Sequence, residues 1–474
     1  MDTVKRIAKN TIALFSAQLI ISILTLLLSI TIARTLGDVI FGQYSFALAF
    51  VTLFAVFSDL GYNTLLVRDV ARKKEKASKY MNNIISIRAI FSIILFTLIF
   101  VFINFSNYPE ELKISIYLFG FYIILTSLST VFRVIFRAFE KMEFEAIVNI
   151  VSETFRVSLA FIVLFLGYGL IALALVFLFS GIFDFFFSFV ICEKKFVKTK
   201  SEFDFNFLKN TIKFALPLSL LSIFGLIYIR IDTVMLSIIK GDAVVGWYNA
   251  AYNLILGLKV IPHLFMNALF PLLSYYYVSS KNSLKYAYEK SFKYLFMIGL
   301  PAALGISLLS DKIILLLYGQ EYFNSIIALQ ILAWDILLIF LCKCSSFLFV
   351  STDRQNKMAI LIAIVAFINI VLNLFLIPKY SYIGAAIATI AAESFLLISY
   401  MILGNRLIIK ISYLRITIKP IISSLIMGLF IIYFRENNLI LVIGGSILVY
   451  FILLYLLKAI SDDDKKIFKR LLKK

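Results

Sequence analysis

Long apolar segments alternate with short polar ones along nearly the whole chain. Fourteen of them have the length of about 20 residues that a helix needs to cross a bilayer. They lie at residues 11–33, 41–63, 85–105, 113–133, 144–166, 169–191, 211–239, 245–275, 292–317, 325–350, 358–377, 382–404, 415–434 and 438–457. Helices satisfy their own backbone hydrogen bonds in lipid, so the pattern predicts an all-α polytopic membrane protein of about 14 transmembrane helices.

One octapeptide occurs twice between apolar segments. Gly37 to Tyr44 reads GDVIFGQY and Gly241 to Tyr248 reads GDAVVGWY, so both follow G-D-x-x-x-G-x-Y. Two copies at matching places indicate an internal duplication. We expect the glycines to allow a tight turn, Asp38 and Asp242 to cap the following helices, and the tyrosines to lie at the membrane interface.

The duplication predicts two six-helix lobes with the same orientation in the membrane, because six is an even number of spans. Parallel repeats of this kind are related by an axis along the membrane normal, and their site lies at the interface. The predicted divisions are an N-lobe at 1–192, a cytoplasmic linker at 193–210, a C-lobe at 211–404, two further helices at 405–458 and a cytoplasmic tail at 459–474.

Composition and charge narrow the class further. The chain is 62% hydrophobic and only 15% charged, against about 25% charged residues in soluble domains. The basic residues behind the net charge of +19 lie mostly in alternate loops and not on one face, which excludes a nucleic-acid surface. The same alternation predicts that the N- and C-termini are cytoplasmic. The expected location is the plasma membrane. His263 is the only histidine, which argues against a metal site, and the three cysteines, without a CxxC pair, indicate free thiols.

Ionisable and amide side chains within the spans are the functional candidates, because such groups are rare in membranes and face the bundle interior. The candidates for substrate binding are Arg34, Arg156, Arg230, Lys259, Gln18 and Asn149. The candidates for ion coupling or for a structural role are Glu153, Asp232, Asp184, Asp335 and Glu393.

Each candidate has a structural alternative. Gln18 shares a helical face with Ser22, Thr25 and Ser29 that can seal a helix contact, and Arg34 can reach lipid headgroups. Glu153 and Arg156 form either a fixed ion pair or a pair that exchanges partners. Arg230 and Asp232 are about 200° apart around the helix axis, so we expect them to contact different neighbours. Lys259 can be solvated or paired, and Pro262 predicts a helix break beside it.

Two stretches resemble a known family. Arg34-Thr-Leu-Gly-Asp-x-x-x-Gly-Gln-Tyr and Asp232-Thr-Val-Met-Leu-x(9)-Gly-x-Tyr resemble the pattern "aRxLGxxxyGxY" of polysaccharide-export flippases. These are the Wzx-type flippases for O-antigen and lipid-linked oligosaccharides, of the multidrug/oligosaccharidyl-lipid/polysaccharide (MATE-like) exporter superfamily. Nearly the whole chain is covered, including a 6+6+2 arrangement of spans.

The resemblance implies a transporter that flips a polyprenyl-pyrophosphate-linked glycan from the cytoplasmic to the outer leaflet by alternating access. Family members bind the pyrophosphate with basic residues and many use an ion gradient, so no cofactor is expected beyond H⁺ or Na⁺ coupling. The expected partners are the lipid-linked glycan, membrane lipids and glycan-assembly enzymes, and the expected state is a monomer.

Two other classes compete with this reading. A cation-coupled multidrug exporter of the same superfamily usually has twelve spans and relies on acidic residues in the first lobe. A membrane glycan polymerase or ligase needs a sizeable outer loop, but the longest predicted one covers only residues 104–112. The two additional spans and the basic candidates favour the flippase and argue against an enzyme.

Overall fold

The computed structural model describes residues 3–59, 61–199 and 203–459, with the side chains of 3–12, 56–59, 205–219 and 221 excepted. Within these ranges all regular structure is helical, as predicted. Residues 200–202 of the predicted linker and the predicted tail from residue 460 lie outside the described residues.

The helices follow the predicted apolar segments closely. The first half of the chain contains α1 (Thr3–Asp59), α2 (Tyr62–Arg72), α3 (Ala77–Asn104), α4 (Glu110–Ala138), α5 (Met142–Phe165) and α6 (Leu170–Lys195). The second half contains α7 (Phe205–Lys240), α8 (Asp242–Leu258), α9 (Val260–Ser279), α10 (Lys281–Leu308), α11 (Ser310–Leu317), α12 (Ser325–Ser351), α13 (Gln355–Leu407), α14 (Tyr413–Tyr433) and α15 (Leu439–Leu456).

Twelve segments of the described chain are long and apolar enough to cross a membrane. Two of them, Ala13–Ala55 and Gln355–Leu407, have 43 and 53 residues, roughly twice the length that a bilayer core requires. Each is broken by one non-helical residue, Gly37 (φ 78°, ψ 175°) in α1 and Ser381 (φ 55°, ψ −136°) in α13. The two breaks account for the fourteen predicted spans. The chain is a multi-pass helical membrane protein.

The helices group into two compact units. The first comprises Met1–Asn253 with Ala359–Ala385, and the second comprises Leu254–Met358 with Ala386–Lys474. The first unit therefore holds α1 to α7, most of α8 and the first part of α13. The lobe boundaries given above stay a prediction.

Close helix packing organises each unit. In the first, α6 approaches α4 at Gly181, where an added Cβ would lie 3.0 Å from the Tyr122 ring. Small residues let membrane helices approach in this way. In the second, α15 is anchored to α10 by the Tyr450 hydroxyl, which donates to the Met297 carbonyl over 2.7 Å. Large apolar side chains such as Phe186 and Leu441 remain exposed, as expected for surfaces that face lipid.

Candidate functional site

The two copies of the repeated octapeptide meet in the first unit. A Cβ on Gly42 would collide with the backbone carbonyl of Asp242, and a Cβ on Gly246 would collide with that of Asp38. The two glycines therefore let the two turns cross backbone to backbone, which no other residue type would permit. The contact is reciprocal, with a glycine of each copy against the aspartate of the other.

Side chains repeat this reciprocity. The Trp247 indole N–H donates to the Asp38 carboxylate over 2.7 Å, and the Gln43 amide donates to the Asp242 carboxylate over 3.1 Å. Trp247 and Gln43 occupy the same position of the repeat. We expected both aspartates to cap their own helices, but each instead joins its copy to the other one. We name this contact the repeat junction.

A polar cavity of about 280 Å³ lies among the helices of the first unit. It brings together four of the sequence candidates, which come from α5 and α6: Asn149, Glu153, Arg156 and Asp184. Five further polar residues line it: Tyr122, Thr126, Arg133, Ser152 and Ser180. The cavity therefore contains two arginines and two carboxylates, which are arranged as two ion pairs.

Arg133 of α4 and Asp184 of α6 form the first pair. One guanidinium nitrogen of Arg133 lies 2.6 and 2.7 Å from the two oxygens of Asp184. The hydroxyls of Ser129 and Ser152 also donate to this carboxylate, over 2.5 and 3.0 Å. Asp184 thus receives hydrogen bonds from α4 and α5, and both members of the pair are largely buried. These hydrogen bonds join α4, α5 and α6, as expected for an ion pair with a structural role.

Arg156 and Glu153 of α5 form the second pair, at 2.5 Å. The Thr25 hydroxyl of α1 donates to the same Glu153 oxygen over 3.0 Å, so the pair also contacts α1. The Arg156 guanidinium donates to the Tyr122 hydroxyl and lies 5.0 Å from the centroid of the Phe177 ring. This cation is held on one side by a carboxylate and on the other by aromatic rings.

Arg230 of α7 differs from these two arginines. It forms no hydrogen bond or ion pair within the described part of the chain, and its Nε is shielded from solvent. Its charge lies within electrostatic range of Tyr44 and Tyr252, and Tyr44 is also within range of Arg156. A shielded guanidinium without a counter-charge is poised to bind an anion.

Asp232, two residues later, has the opposite character. It is 1% exposed and accepts hydrogen bonds from the Tyr248 hydroxyl at 3.0 Å and from the Asn373 amide at 2.6 Å. The Asn373 amide also donates to Asn369 Oδ1 over 3.1 Å. The side-chain oxygens of Asp232, Asn369 and Asn373 are hard ligands of the kind that small cations prefer. Tyr248, expected at the membrane interface, is fully buried in this cluster.

The candidates Lys259, Asp335 and Glu393 belong to the second unit. Lys259 lies at the break between α8 and α9, three residues before Pro262, as expected for a proline-associated break. Its charge interacts with that of Lys343, which also interacts with Glu393. Asp335 and Glu393 are 2% and 7% exposed. These groups form a separate polar region within the second unit.

Gln18 and Arg34 are exposed on α1. Two later residues on the helical face that begins at Gln18 contact other helices. Thr25 donates to Glu153, and Ser29 accepts a 3.0 Å hydrogen bond from the Asn253 amide. Part of this face therefore forms helix contacts, as the structural alternative expected.

Several site residues were not among the sequence candidates. Arg133 is the last residue of the predicted span 113–133, but α4 continues to Ala138. Its spacing of four residues from Ser129 would have placed it on the polar face of the helix. Asn369 and Asn373 show the same spacing on α13, and these two amides inside an apolar span were a usable signal. No local signal connects Tyr44 with Arg156 or Arg230.

Taken together, the fold and the ionisable groups within its spans define a polytopic helical membrane protein. The model of the polysaccharide biosynthesis protein family matches residues 7–277, more than half of the chain. The chain belongs to this family.

Known proteins agree with that assignment. The capsular polysaccharide biosynthesis protein CapF of Staphylococcus aureus is 25% identical over 84% of this chain and 99% of its own length. The lipid II flippase MurJ, in an inward closed conformation, matches the fold with a TM-score of 0.76 at 20% identity, over 97% of this chain and 100% of its own. An inward-facing MATE family multidrug transporter matches with a TM-score of 0.66 at 17% identity, over 81% and 94%. The fold is MurJ- and MATE-like.

The repeat junction can be tested by cross-linking. Cysteines introduced as Asp38→Cys and Trp247→Cys should react together with a short bifunctional thiol reagent, since the native side chains touch at 2.7 Å. Gly42→Leu should abolish the cross-link, because its side chain would displace Asp242. Gly225→Leu is the matched control, as an added Cβ there meets open space. Equal cross-linking in both leucine variants would contradict the close crossing.

The Arg133–Asp184 pair should be important for stability. Asp184→Asn leaves a largely buried arginine uncompensated and should lower the free energy of unfolding by about 3 kcal/mol. Thermal unfolding of the purified protein in detergent would measure the change. Glu110→Gln is the control, because Glu110 is 80% exposed in its pair with Lys113, and such pairs contribute little. A similar loss in both variants would argue against a structural role for Asp184.

Proposed function

We propose that this protein is a flippase for a lipid-linked oligosaccharide, moving a polyprenyl-pyrophosphate-linked glycan from the cytoplasmic to the outer leaflet by alternating access. It acts as a transporter and not as an enzyme. The family assignment, the polysaccharide role named for CapF and the flippase role named for MurJ support this class of substrate. The observation that carries the proposal is the unpaired Arg230.

The pyrophosphate is the part of such a substrate that the protein must hold inside the membrane. Arginine is suited to it, because the planar guanidinium donates two parallel hydrogen bonds to a phosphate. Arg230 has no internal counter-charge to give up within the described chain, whereas Arg156 would have to exchange Glu153 for the phosphate. We therefore assign the first contact to Arg230 and a second contact to Arg156, with Tyr44 within electrostatic range of both.

Alternating access requires a closure that opens and reforms. The repeat junction is suited to this role, because it joins the two copies of the repeat by two hydrogen bonds and a glycine–backbone crossing. The concentration of basic residues in alternate loops supports an outer position for this junction. The cross-link between residues 38 and 247 should therefore stop flipping.

We assign ion coupling to Asp232. Asp232 is 1% exposed, and a bound H⁺ or Na⁺ would neutralise the charge of its buried carboxylate. The neighbouring Asn369 and Asn373 can supply neutral oxygens to a cation without adding negative charge. Tyr248 connects this site with the repeat junction, because it belongs to the same octapeptide as Asp242. Binding of H⁺ or Na⁺ at Asp232 can therefore change the balance between the open and the closed repeat junction.

The multidrug-exporter reading has the fold in its favour, since MATE transporters are among the structural neighbours. Its substrates are organic cations, which need an available carboxylate. In the first-unit cavity both carboxylates, Glu153 and Asp184, are already paired with arginine. Arg230, which has no hydrogen bond or ion pair within the described part of this unit, favours an anionic substrate instead.

Flipping can be measured in proteoliposomes that contain a fluorescent undecaprenyl-pyrophosphate-linked disaccharide, as the fraction that an external glycosidase can cleave. Arg230→Gln should lower the rate about tenfold or more, the effect of losing one charge-assisted hydrogen bond. Arg230→Lys keeps the charge and should retain more activity than Arg230→Gln. The proposed role would be contradicted by an unchanged flipping rate in Arg230→Gln. It would also be contradicted if the protein exported a cationic dye equally well with and without this substitution.

Ion coupling can be tested in the same vesicles with imposed Na⁺ or pH gradients. Wild-type flipping should accelerate with one of the two gradients, and Asp232→Asn should remove that acceleration because the amide carries no charge. Asp335→Asn, at a buried aspartate of the second unit, is the comparison. If only Asp335→Asn removed the response, the coupling site would have to be placed there.

A further inference from the structure

The ion pairs of the first-unit cavity leave it without net charge. Arg133 is paired with Asp184 and Arg156 with Glu153, and these four are the charged residues of the described lining. Each of the four side chains is at most 16% exposed. A cavity whose charges are paired in this way creates no strong field of either sign to attract an ion. The ligand that suits it is therefore neutral.

Hydroxyl groups line the same cavity, and their protons are already in use. The hydroxyls of Thr126 and Ser180 donate to backbone carbonyls of their own helices over 3.0 and 2.7 Å, and Ser152 donates to Asp184 over 3.0 Å. A hydroxyl oxygen has two lone pairs besides its proton. These three oxygens accept no hydrogen bond from the described part of the chain, so they can accept one from a ligand.

Asn149 adds a side chain that can both donate and accept. It lines the cavity, is partly exposed, and forms no side-chain hydrogen bond within the described residues. An amide can donate two hydrogen bonds and accept two. A polar group in an apolar span is costly unless a ligand, water or another side chain satisfies it. Asn149 is therefore available to a ligand that both donates and accepts hydrogen bonds.

The volume and the polarity of the cavity restrict the ligand further. Pockets for drug-sized ligands have about 300–1,000 Å³, so a volume of about 280 Å³ suits one small ring rather than a whole oligosaccharide. A polyprenyl chain would displace water from the ion pairs without replacing its hydrogen bonds, which is costly. A sugar ring is neutral, and its hydroxyls can donate to Thr126, Ser152 and Ser180. The same hydroxyls can exchange hydrogen bonds with Asn149.

Arg156 connects this cavity with the proposed position of the pyrophosphate, because it lines the cavity and is the second phosphate contact of the proposed function. The first sugar of a lipid-linked glycan is bonded directly to the pyrophosphate, so its ring must lie beside the groups that hold the phosphate. When Arg156 turns to the phosphate, Glu153 keeps its hydrogen bond from Thr25 and remains at the cavity as a carboxylate. A sugar that carries a carboxylate would be repelled there.

Given the proposed flippase function, we propose that the first-unit cavity binds the first sugar of the lipid-linked glycan and selects a neutral ring over an acidic one. Asn149 is the specificity-determining contact, and the hydroxyl oxygens of Thr126, Ser152 and Ser180 accept hydrogen bonds from the sugar. The rest of the glycan lies outside the cavity. The protein therefore distinguishes substrates by the sugar next to the lipid and tolerates variation farther along the glycan.

The test is native mass spectrometry of the full purified chain in detergent with three undecaprenyl-pyrophosphate probes, which carry N-acetylglucosamine, glucuronic acid or a methyl ester in place of the sugar. Wild type should retain the N-acetylglucosamine probe about tenfold better than the other two, the effect of two neutral hydrogen bonds. Asn149→Leu should remove this preference and retain the methyl ester like wild type. Asn324→Leu makes the same change on an exposed turn of the second unit and should behave like wild type.

A second variant keeps the shape of the cavity. Thr126→Val removes one acceptor and should weaken retention of the N-acetylglucosamine probe about threefold, without changing that of the methyl ester. The fold should tolerate the change, because the Thr126 hydroxyl bonds only within its own helix. Thr97→Val is the matched control, since Thr97 donates to the Ile93 carbonyl over 2.9 Å on an exposed face of α3.

The outcomes separate the sugar site from the proposed flippase function. Equal retention of the N-acetylglucosamine and methyl ester probes by wild type would overturn the sugar site and leave the flippase function in place. Equal loss of both probes in Asn149→Leu would do the same, because the residue would then not contact the sugar. Preferential retention of the glucuronic acid probe would contradict selection for a neutral ring. If wild type retained none of the three lipids, the proposed function would fail together with the sugar site.

Discussion

The crossing of the two repeated turns is the constraint on which the first unit depends. At Gly42 and Gly246 the backbones of the two copies approach so closely that neither position accepts a side chain. Each copy gives one glycine and one aspartate to the other, so a change in one copy alters the surroundings of both. The backbone contact is symmetric, while the donors Trp247 and Gln43 differ. The crossing is therefore common to both copies, whereas the side chains around it are not.

The last residue of the repeat illustrates this divergence. Tyr248 donates to the buried carboxylate of Asp232, whereas Tyr44 lies near the guanidinium groups of Arg156 and Arg230. One structural position therefore serves an acidic site in one copy and a basic site in the other. If the acid couples an ion and the arginines hold the pyrophosphate, both sites are attached to the same crossing. A rearrangement of the crossing would then affect the acidic site through Tyr248 and the basic site through Tyr44.

The sequence predicted the helices well and the site only in part. Apolar length and the positions of basic loops are local properties, so the spans and the importance of the repeat could be read directly. Glu153 and Arg156 were paired correctly because they are three residues apart on one helix. Asp184 was recognised as a candidate, but its partner Arg133 is 51 residues away and Asn373 is 141 residues from Asp232. Such pairs are set by tertiary packing, which no periodicity encodes.

The charges within the spans also differ in how they are paired. An ion pair in a low-dielectric interior gains little over apolar packing, but removing one partner leaves the other charge at a large cost. Asp184 and Arg133, with their ring of hydroxyls, are therefore best understood as a fixed link between helices. Arg230 represents the opposite case, because it has no hydrogen bond or ion pair within the described part of the chain. Under the proposed function the pyrophosphate supplies the missing negative charge, and it must enter and leave with each transport cycle.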